Sequence, residues 1–283
     1  MLKVLITGAD SYIGTAFAEY LQRQPGLYEV QELDVRNGQW RDHDFSTYQV
    51  VFHVAGMVHE KETKKNRDRF FQVNRDLTCE VARKAKNSGI KQFVFLSTMS
   101  VYGVEAGVID QDTLPKPVTA YGRSKYEAEV RLMDMAGETF VVSVLRPPMI
   151  YGKNCKGNYS RLRKLALRLP AFPKINNQRS MLYIENLIGF LQHIIDERKG
   201  GLFFPQNSEY VSTQEMVGLI ATAHGKRIRP TKAFNKLLRT GNFKTLSKLF
   251  GDLVYVRSLP PDASLFSVCS FKESIRRCEE LSK

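Results

Sequence analysis

Short apolar runs rich in β-branched residues alternate with helical patterns through the first half of the chain. Strands are predicted at 3–7, 28–34, 50–54, 92–96 and 140–145, with helices among them at 12–23, 67–88 and 121–136. Strands joined through helices run parallel, because each helix returns the chain to the starting edge of the sheet. The pattern predicts an α/β fold, a doubly wound parallel sheet with ligands at the carboxyl ends of its strands.

After Pro147 and Pro148 the alternation loosens, and Gly and Pro separate shorter pieces. Helical patterns occur at 159–167, 184–197, 213–224 and 234–250, an apolar strand at 201–204, and an amphipathic closing helix at 272–283. We expect residues 1–152 to form the main domain, with 181–206 returning a helix and a strand to it. Residues 153–180 and 207–283 are expected to form a smaller, mostly helical lobe.

The first predicted strand leads directly into a glycine-containing loop that opens a helix. Gly8 and Gly14 have the spacing of the outer glycines of a G-x-x-G-x-x-G phosphate-binding turn, and Ser11 replaces the middle glycine. Glycine lets the backbone approach a pyrophosphate, while the helix that begins at Tyr12 and Ile13 supplies N–H donors. The Ser11 hydroxyl can donate to a phosphate. The loop predicts a Rossmann-like dinucleotide site.

An acid follows at the end of the second predicted strand. Asp34 stands 20 residues beyond Gly14, where a carboxylate accepts hydrogen bonds from the adenosine ribose and repels a 2′-phosphate. This favours NAD. Arg36 could pair with a 2′-phosphate, so NADP stays open as the alternative cofactor.

A tyrosine and a lysine stand four residues apart in the third predicted helix. Tyr121 and Lys125 lie one turn apart on one helical face, and a nearby ammonium favours the phenolate. The spacing therefore predicts a Tyr121 pKa below its ordinary value of about 10, and such a phenol is a general acid or base. An isolated pair of this kind also arises by chance on exposed helices, so its meaning depends on the preceding glycine loop.

Several motifs in order make the first half resemble the extended short-chain dehydrogenase/reductase family, especially its nucleotide-sugar epimerases and reductases. They are the loop at 7–14, Phe52-His-Val-Ala-Gly56, Asn74, and the segments 95–103, 121–125 and 145–152. The resemblance implies a catalytic triad of Thr98, Tyr121 and Lys125, with Thr98 and Tyr121 against the substrate. It also implies that Lys125 holds the nicotinamide ribose and that Ala55 lies at the cofactor.

Beyond residue 152 the resemblance thins to 179–186. Arg179 resembles the family's arginine that contacts the sugar nucleotide's diphosphate, and Arg257 is a second candidate whose alignment nothing local fixes. The smaller lobe is accordingly expected to bind the substrate. Asn74 corresponds to a position near the active site, and a structural amide between helix and strand explains it equally well. Arg146 is expected to stabilise the turn after its strand.

The residues after Thr98 narrow the implied reaction. The family's 4,6-dehydratases place Asp-Glu there, whereas this chain has Met99 and Ser100, so loss of water is not expected. We expect an NAD-dependent nucleotide-sugar 4-epimerase of the UDP-glucose/UDP-galactose type. Because the chain is shorter than such epimerases usually are, an NAD(P)H-dependent reductase of a 4-keto-6-deoxy nucleotide sugar is the alternative. A non-catalytic NAD(H)- or RNA-binding module is the third.

Charge and composition bound the partners. Lys and Arg exceed Asp and Glu by 42 to 29, which implies an anionic partner such as nucleic acid or an anionic membrane, or a solvated surface. The segment 153–174 holds seven cations and no acid. A diphosphate substrate, RNA, or a solvated basic face explains that segment about equally well. The four cysteines have no metal-ligand spacing, so no metal is expected.

The apolar runs are too short to span a bilayer, and the N-terminus has no signal-peptide core. A cytoplasmic protein without a membrane partner is therefore expected. The resemblance adds a nucleotide-diphosphate sugar as the partner, without requiring nucleic acid, and a homodimer through the helices at 67–88 and 121–136.

Overall fold

The computed structural model describes residues 1–232 and 250–280, and the chain divides into two compact units. The first unit consists of Met1–Gly103, Leu114–Pro147 and Ile188–Phe204, and the second of Val104–Thr113, Pro148–Leu187 and Pro205–Lys283. Most of the helix predicted at 234–250 and the last three residues of the one predicted at 272–283 lie outside the described residues.

Twelve strands and eight α-helices are described in this part of the chain. The strands are β1 (Leu2–Thr7), β2 (Tyr28–Leu33), β3 (Val50–His53), β4 (Gln92–Leu96), β5 (Gly107–Ile109), β6 (Val141–Leu145), β7 (Met149–Tyr151), β8 (Ala171–Pro173), β9 (Met181–Tyr183), β10 (Gly201–Phe203), β11 (Arg229–Thr231) and β12 (Leu253–Tyr255). The helices are α1 (Tyr12–Gln22), α2 (Arg67–Phe71), α3 (Thr78–Asn87), α4 (Ala120–Met135), α5 (Asn158–Arg168), α6 (Ile184–Asp196), α7 (Thr213–Ala223) and α8 (Phe271–Glu279).

The first unit is built on a six-stranded parallel sheet in the order β10-β6-β4-β3-β1-β2, which confirms the predicted α/β, Rossmann-like fold. The register pairs Thr7 with both Leu33 and His53, and Leu96 with Leu145, so the strands end along a common edge. Since β1 has β2 on one side and β3 on the other, the direction of winding reverses there. Ligands of such sheets bind in the crevice beside that reversal.

Aromatic and β-branched side chains fill the space between this sheet and its helices. On one face Phe17 of α1 meets Phe52 of β3 edge to face, with ring centroids 5.6 Å apart. A second apolar cluster contains the fully buried Phe45, Phe93 and Phe140. Burying one such side chain stabilises the fold by about 1.5–3 kcal/mol, which explains why the apolar runs of the sequence become the central strands.

The long helix predicted at 67–88 is interrupted. Gln72–Leu77 forms a π-helical turn between α2 and α3, and this turn contains the buried Asn74. The Asn74 side chain pairs with the backbone of Met57 in both directions, at 2.7 and 3.2 Å. A prediction based on a 3.6-residue period cannot show one extra residue in a turn, because the apolar pattern on either side is preserved.

In the second unit, three parallel strand pairs (β5 with β12, β7 with β9, β8 with β11) accompany helices α5, α7 and α8. The pairs were not predicted, because three-residue strands are too short to show an alternating pattern. Buried Glu279 of α8 accepts hydrogen bonds from Tyr159, Arg163 and His224, each at 2.7 Å, and thereby ties α8 to α5 and to the end of α7.

No helix within residues 1–232 and 250–280 is long and apolar enough to cross a membrane.

Candidate active site

The glycine loop packs against the end of β3. Gly8 has φ +121°, and a Cβ at this position would lie 2.7 Å from the backbone nitrogen of Ala55. A Cβ on Gly14 would lie 2.4 Å from Ser11 Oγ and 3.0 Å from a methyl group of Val54. Both glycines are therefore required by close packing, and Ala55 lies beside the loop, while its place at the cofactor stays a prediction.

Ser11 begins helix α1 as its N-cap. Its Oγ accepts a hydrogen bond from Gly14 N at 3.2 Å, and Tyr12 and Ile13 form the first helical positions. Because the cap uses a lone pair, the hydroxyl proton can still be donated to a phosphate. Close-packed glycines, a capped helix N-terminus and an acid at the end of β2 together fit the diphosphate and ribose of a dinucleotide.

The acid at the end of β2 is paired with the arginine that the sequence left as the alternative cofactor contact. Arg36 Nε and Nη2 donate to the Asp34 carboxylate at 2.9 Å, and Nη2 lies 3.4 Å from Asp10 Oδ2. The Arg36 guanidinium holds the pKa of Asp34 below its usual range. Since Arg36 already faces two carboxylates, the arrangement favours ribose hydroxyls over a 2′-phosphate.

Thr98 and Tyr121 meet at the same sheet edge. Thr98 follows β4 and caps a short 3₁₀ turn by accepting from Ser100 N at 3.1 Å. Its side chain is hydrogen-bonded to Tyr121, which stands in the first turn of α4. Tyr121 also packs against a small apolar cluster of Met57, Phe70 and Ala120.

Burial raises the pKa of Tyr121, and the hydrogen bond with Thr98 only partly opposes this effect. The lowered pKa predicted from the spacing of Tyr121 and Lys125 is therefore wrong for this structure. Lys125 does lie one turn along α4, but its Nζ donates to the Leu96 carbonyl at 2.9 Å and lies 4.6 Å from the Phe95 ring centroid. The helix predicted for the pair is confirmed, and the ammonium is directed at a strand end instead of at the phenol.

Burial also lowers the pKa of Lys125 to about 7, against an opposing effect of Glu129. This lysine is 2% exposed. Its ammonium therefore gains and loses its proton near neutral pH, and an anionic neighbour would favour the charged form.

Asn74 and Lys125 both lie against the backbone of Gly56. A Cβ on Gly56 would lie 3.1 Å from Asn74 Oδ1 and 3.2 Å from Lys125 Nζ, so both polar groups close on the same backbone position. Asn74 Nδ2 also donates to Ser124 Oγ at 3.2 Å. Asn74 thus has the structural amide role, and it has that role beside Lys125.

A buried ion pair lies one further turn along α4 and was missed from the sequence. Glu129 binds Arg146 at 2.6 Å, accepts from the Ser97 hydroxyl, and lies on the face of Tyr121 and Lys125. Arg146 also donates to the Tyr102 hydroxyl at 2.9 Å. The Arg146 guanidinium thus contacts helix α4 and the 3₁₀ turn that follows β4, and its role in stabilising the turn after its own strand stays a prediction. The four-residue spacing of Glu129 from Lys125 was the signal available in the sequence.

A second missed group is His53 at the end of β3. Its ring nitrogens face Thr7 Oγ1 at 2.7 Å and Thr78 Oγ1 at 3.0 Å, and Thr78 donates to the Asn74 carbonyl at 3.0 Å. Burial lowers the pKa of His53 to about 3, so the ring is neutral. Because the Thr78 proton is committed to Asn74, His53 Nε2 donates to Thr78 and Nδ1 accepts from Thr7. The chain of bonds anchors the π-helical turn to β1 and β3.

The two predicted diphosphate contacts lie in the second unit. Arg179 precedes β9, donates from Nη1 to the Gly251 carbonyl at 2.8 Å, and has its pKa lowered by burial against an opposing effect of Asp252. Arg257 lies 4.2 Å from the Tyr210 ring centroid. It lines an open cavity of about 190 Å³ together with Gln206, Ser208, Pro261, Asp262 and Ser264. Arg179 is not among the residues lining that cavity, and both roles stay predictions.

The chain matches the model of the NAD dependent epimerase/dehydratase family over residues 4–202. It is 28% identical to UDP-glucose 4-epimerase of Vibrio cholerae over 274 residues, which covers 88% of this chain and 82% of that protein. It is 26% identical over 207 residues to the N-acetyl-alpha-D-glucosaminyl-diphospho-ditrans,octacis-undecaprenol 4-epimerase of Escherichia coli O157:H7, covering 67% and 62%.

Solved structures show the same fold. UDP-glucuronic acid 4-epimerase from Bacillus cereus in complex with NAD superposes with a TM-score of 0.74 at 18% identity, covering 97% of this chain and 96% of that one. A dTDP-4-dehydrorhamnose reductase from Clostridium acetobutylicum gives 0.66 at 20% identity, covering 83% and 85%.

Proposed function

Because the chain belongs to the NAD dependent epimerase/dehydratase family, we propose that it is an NAD-dependent nucleotide-sugar 4-epimerase. The observation that carries the proposal is the single sheet edge of the first unit. There a hydroxyl on Thr98, a phenol on Tyr121 and a buried ammonium on Lys125 stand at the ends of strands that also present the glycine loop. The names of the Vibrio cholerae and Bacillus cereus relatives support the same activity.

The cofactor proposal follows from the loop and the end of β2. The glycines Gly8 and Gly14, with Ser11, Tyr12 and Ile13 at the start of α1, would hold the diphosphate. Asp34 would bind the adenosine ribose, with Arg36 as its ion-pair partner, and Ala55 and Lys125 would line the nicotinamide half. NAD, when bound, supplies the capacity to take up and return a hydride.

The proton chemistry belongs to Tyr121. We assign Tyr121 to removing the proton of the sugar 4-hydroxyl and returning it later, with Thr98 hydrogen-bonded to the same oxygen. Burial keeps the unliganded phenol protonated, since it raises the pKa of Tyr121. The proposal further assigns Lys125, one helical turn from Tyr121, to favouring the phenolate through its positive charge while its Nζ stays hydrogen-bonded to the Leu96 carbonyl. Burial brings the pKa of that lysine to about 7, so this charge is lost as the pH rises above neutral.

The proposal assigns the substrate diphosphate to Arg179, with Arg257 as a second contact. Burial lowers the pKa of Arg179, so a nearby anion would stabilise its charged form and gain a planar donor fork in return. The homodimer expected from the resemblance, through the α2–α3 segment and α4, is also part of this proposal. Light scattering on the purified chain checks it, and a single-chain mass at working concentration would contradict it.

The deciding assay offers UDP- and dTDP-sugars with and without NAD(P)H. We expect 4-epimerisation without added reduced cofactor. Oxidation of NAD(P)H only when a 4-keto sugar is supplied, with UDP-sugars unchanged, would instead establish the reductase.

Tyr121→Phe tests the site itself. Removing the proton-transferring phenol should lower turnover about 10²–10⁴-fold with thermal stability retained. Tyr126→Phe, on the same helix and partly buried, is the matched control and should retain activity. Full activity in Tyr121→Phe would contradict any enzyme in which this phenol transfers the proton, and would favour a binding module.

A further inference from the structure

The net positive charge of this protein comes from two stretches of the sequence. Residues 139–184 and 216–251 contain 17 of the 42 lysines and arginines and none of the 29 acids. Outside these stretches 25 cations face 29 acids, so the rest of the chain is slightly acidic although the whole carries +13. Such a segregation shows that the excess cations are concentrated in particular parts of the chain and are not spread evenly along it.

Helix α5 exposes three cations of the first stretch. Arg161, Lys164 and Arg168 are exposed, and their spacing of three and four residues places them on one helical face. The opposite face buries Leu162 and Ala166.

Residues 226–229 of the second stretch lie beside the C-terminal end of α5. Lys226 Nζ donates to the Leu167 carbonyl at 2.6 Å, and Arg229 N donates to the Pro170 carbonyl at 3.2 Å, next to the pairing of β11 with β8. Lys226, Arg227 and Arg229 are exposed. We call Arg161, Lys164, Arg168, Lys226, Arg227 and Arg229 the basic face. Among the residues that the structure describes, none of these six side chains forms an ion pair with a carboxylate.

Apolar side chains stand within the basic face. Leu169 is 39% exposed directly after Arg168, and Pro170 before β8 and Pro230 in β11 are also exposed. Lysine and arginine around a few exposed apolar groups suit the boundary between lipid headgroups and acyl chains. Single-stranded RNA is bound largely by stacking on exposed aromatic rings, and no Phe, Tyr or Trp is exposed in residues 1–232 or 250–280.

We propose that the basic face docks on an anionic membrane surface. The charge is complementary to anionic headgroups, and six cations without a carboxylate partner among the described residues are enough for reversible attachment through a summed electrostatic attraction. This departs from the sequence-based expectation that no membrane takes part, which rested on the absence of an apolar run long enough to span one. Lying on a membrane needs no such run.

The consequence for substrate rests on the proposed function. An epimerase held at a membrane surface would reach sugars whose diphosphate is attached to a membrane lipid as well as soluble sugar nucleotides. Docking itself does not depend on catalysis, so it is measured without substrate or cofactor. A negative result for docking therefore does not bear on the proposed epimerase activity, and the reverse also holds.

The test is flotation of the full chain with vesicles at physiological ionic strength. We expect binding to vesicles that contain one-third phosphatidylglycerol and none to pure phosphatidylcholine, with the binding lost in high salt. Arg161→Gln, Lys164→Gln and Arg168→Gln combined should weaken binding on the order of 10–100-fold. The matched control combines Arg23→Gln, Lys65→Gln and Lys91→Gln, three exposed residues of the first unit with the same change in charge, and should bind as the wild type does.

Three results would overturn the proposal. The first is an equal loss of vesicle binding in both triple variants, which would indicate an effect of net charge alone. The second is equal binding to neutral and anionic vesicles. The third is failure to float with anionic vesicles while a single-stranded RNA oligonucleotide binds. Unchanged thermal unfolding in both triple variants shows that their folding is intact.

Discussion

Each unit of this protein buries a glutamate against an arginine, and the two pairs have different neighbours. In the first unit Glu129 binds Arg146 at 2.6 Å, and both side chains are buried. In the second, Glu279 binds Arg163 at 2.7 Å with the arginine 41% exposed, and also accepts from His224 and Tyr159.

The two glutamates differ in the groups that their carboxylates influence. Glu129 is one helical turn from Lys125 and opposes the fall in that lysine's pKa, so its charge acts on a group of the candidate site. Glu279 contacts α5 and the end of α7 and serves to hold helices together. A buried Glu–Arg pair therefore influences the pKa of a site residue in one unit and holds helices together in the other. Only the surroundings of the two pairs differ.

Glu129→Gln is expected to have the largest effect. It leaves Arg146 buried without its anion, which costs about 3–5 kcal/mol of unfolding free energy. It also removes the charge that supports Lys125, so the pKa of Lys125 falls further below about 7 and activity is lost at a lower pH on the alkaline side. Denaturant unfolding and a pH–rate profile measure the two effects.

A second substitution, Arg146→Met, separates the loss of stability from the change in the pH–rate profile. Combined with Glu129→Gln, it should recover much of the lost stability, since no unpaired buried charge remains, but should leave the pH–rate profile shifted. A profile identical to the wild type in the double variant would refute the link from Glu129 to Lys125.

Glu279→Gln should have a smaller effect, about 1.5–3 kcal/mol of unfolding free energy, because it weakens charged hydrogen bonds of which one partner is partly solvated. We expect no displacement of the pH–rate profile relative to wild type. A displacement as large as that of Glu129→Gln would mean that the two pairs are not different in kind.

The stability due to Glu279 should also depend on pH. Burial alone would raise the pKa of Glu279, but the hydrogen bonds from Tyr159, His224 and Arg163 together lower it. A carboxyl with a lowered folded-state pKa stabilises fully above its unfolded pKa of about 4.3 and loses that contribution as pH falls through the folded value. The gap between wild type and Glu279→Gln should therefore be full at neutral pH and shrink in acid, as followed by thermal unfolding.

The smallest expected effects come from two matching helix caps. Ser11 and Ser270 each accept a hydrogen bond from the backbone three residues on, at 3.2 and 3.3 Å. Replacing either by Ala should cost about 1 kcal/mol of stability. Only Ser11→Ala should also weaken NAD binding, measured by titration, because only that cap lies in the glycine loop. Equal NAD affinity in both variants would remove Ser11 from the proposed cofactor site.

Much of the first unit could be predicted from the sequence. Apolar runs of four to six residues identify the buried strands. Residues within two positions of their ends, such as Gly8, Asp34 and Thr98, meet at one edge because parallel strands share their polarity. The spacing of Tyr121 and Lys125 correctly predicts one helical face. The short strand pairs of the second unit could not be predicted, because three residues show no period.

Side-chain partners distant in the sequence were beyond reach for a different reason. Nothing local shows that Arg146 binds Glu129 or that Asn74 pairs with Met57, since these contacts exist only after helix and sheet have packed.

The amino-acid sequence by itself determined the parallel sheet, the glycine loop and the residue types available at its edge, because periodicity and backbone freedom are local properties. Only the tertiary structure decided how those groups are charged. Burial raised the pKa of Tyr121 and lowered that of Lys125. Packing also directed Lys125 Nζ to the Leu96 carbonyl, to which it donates a hydrogen bond. Desolvation depends on everything packed around a group, so a spacing of four residues indicates which groups are neighbours and not which of them carries the proton.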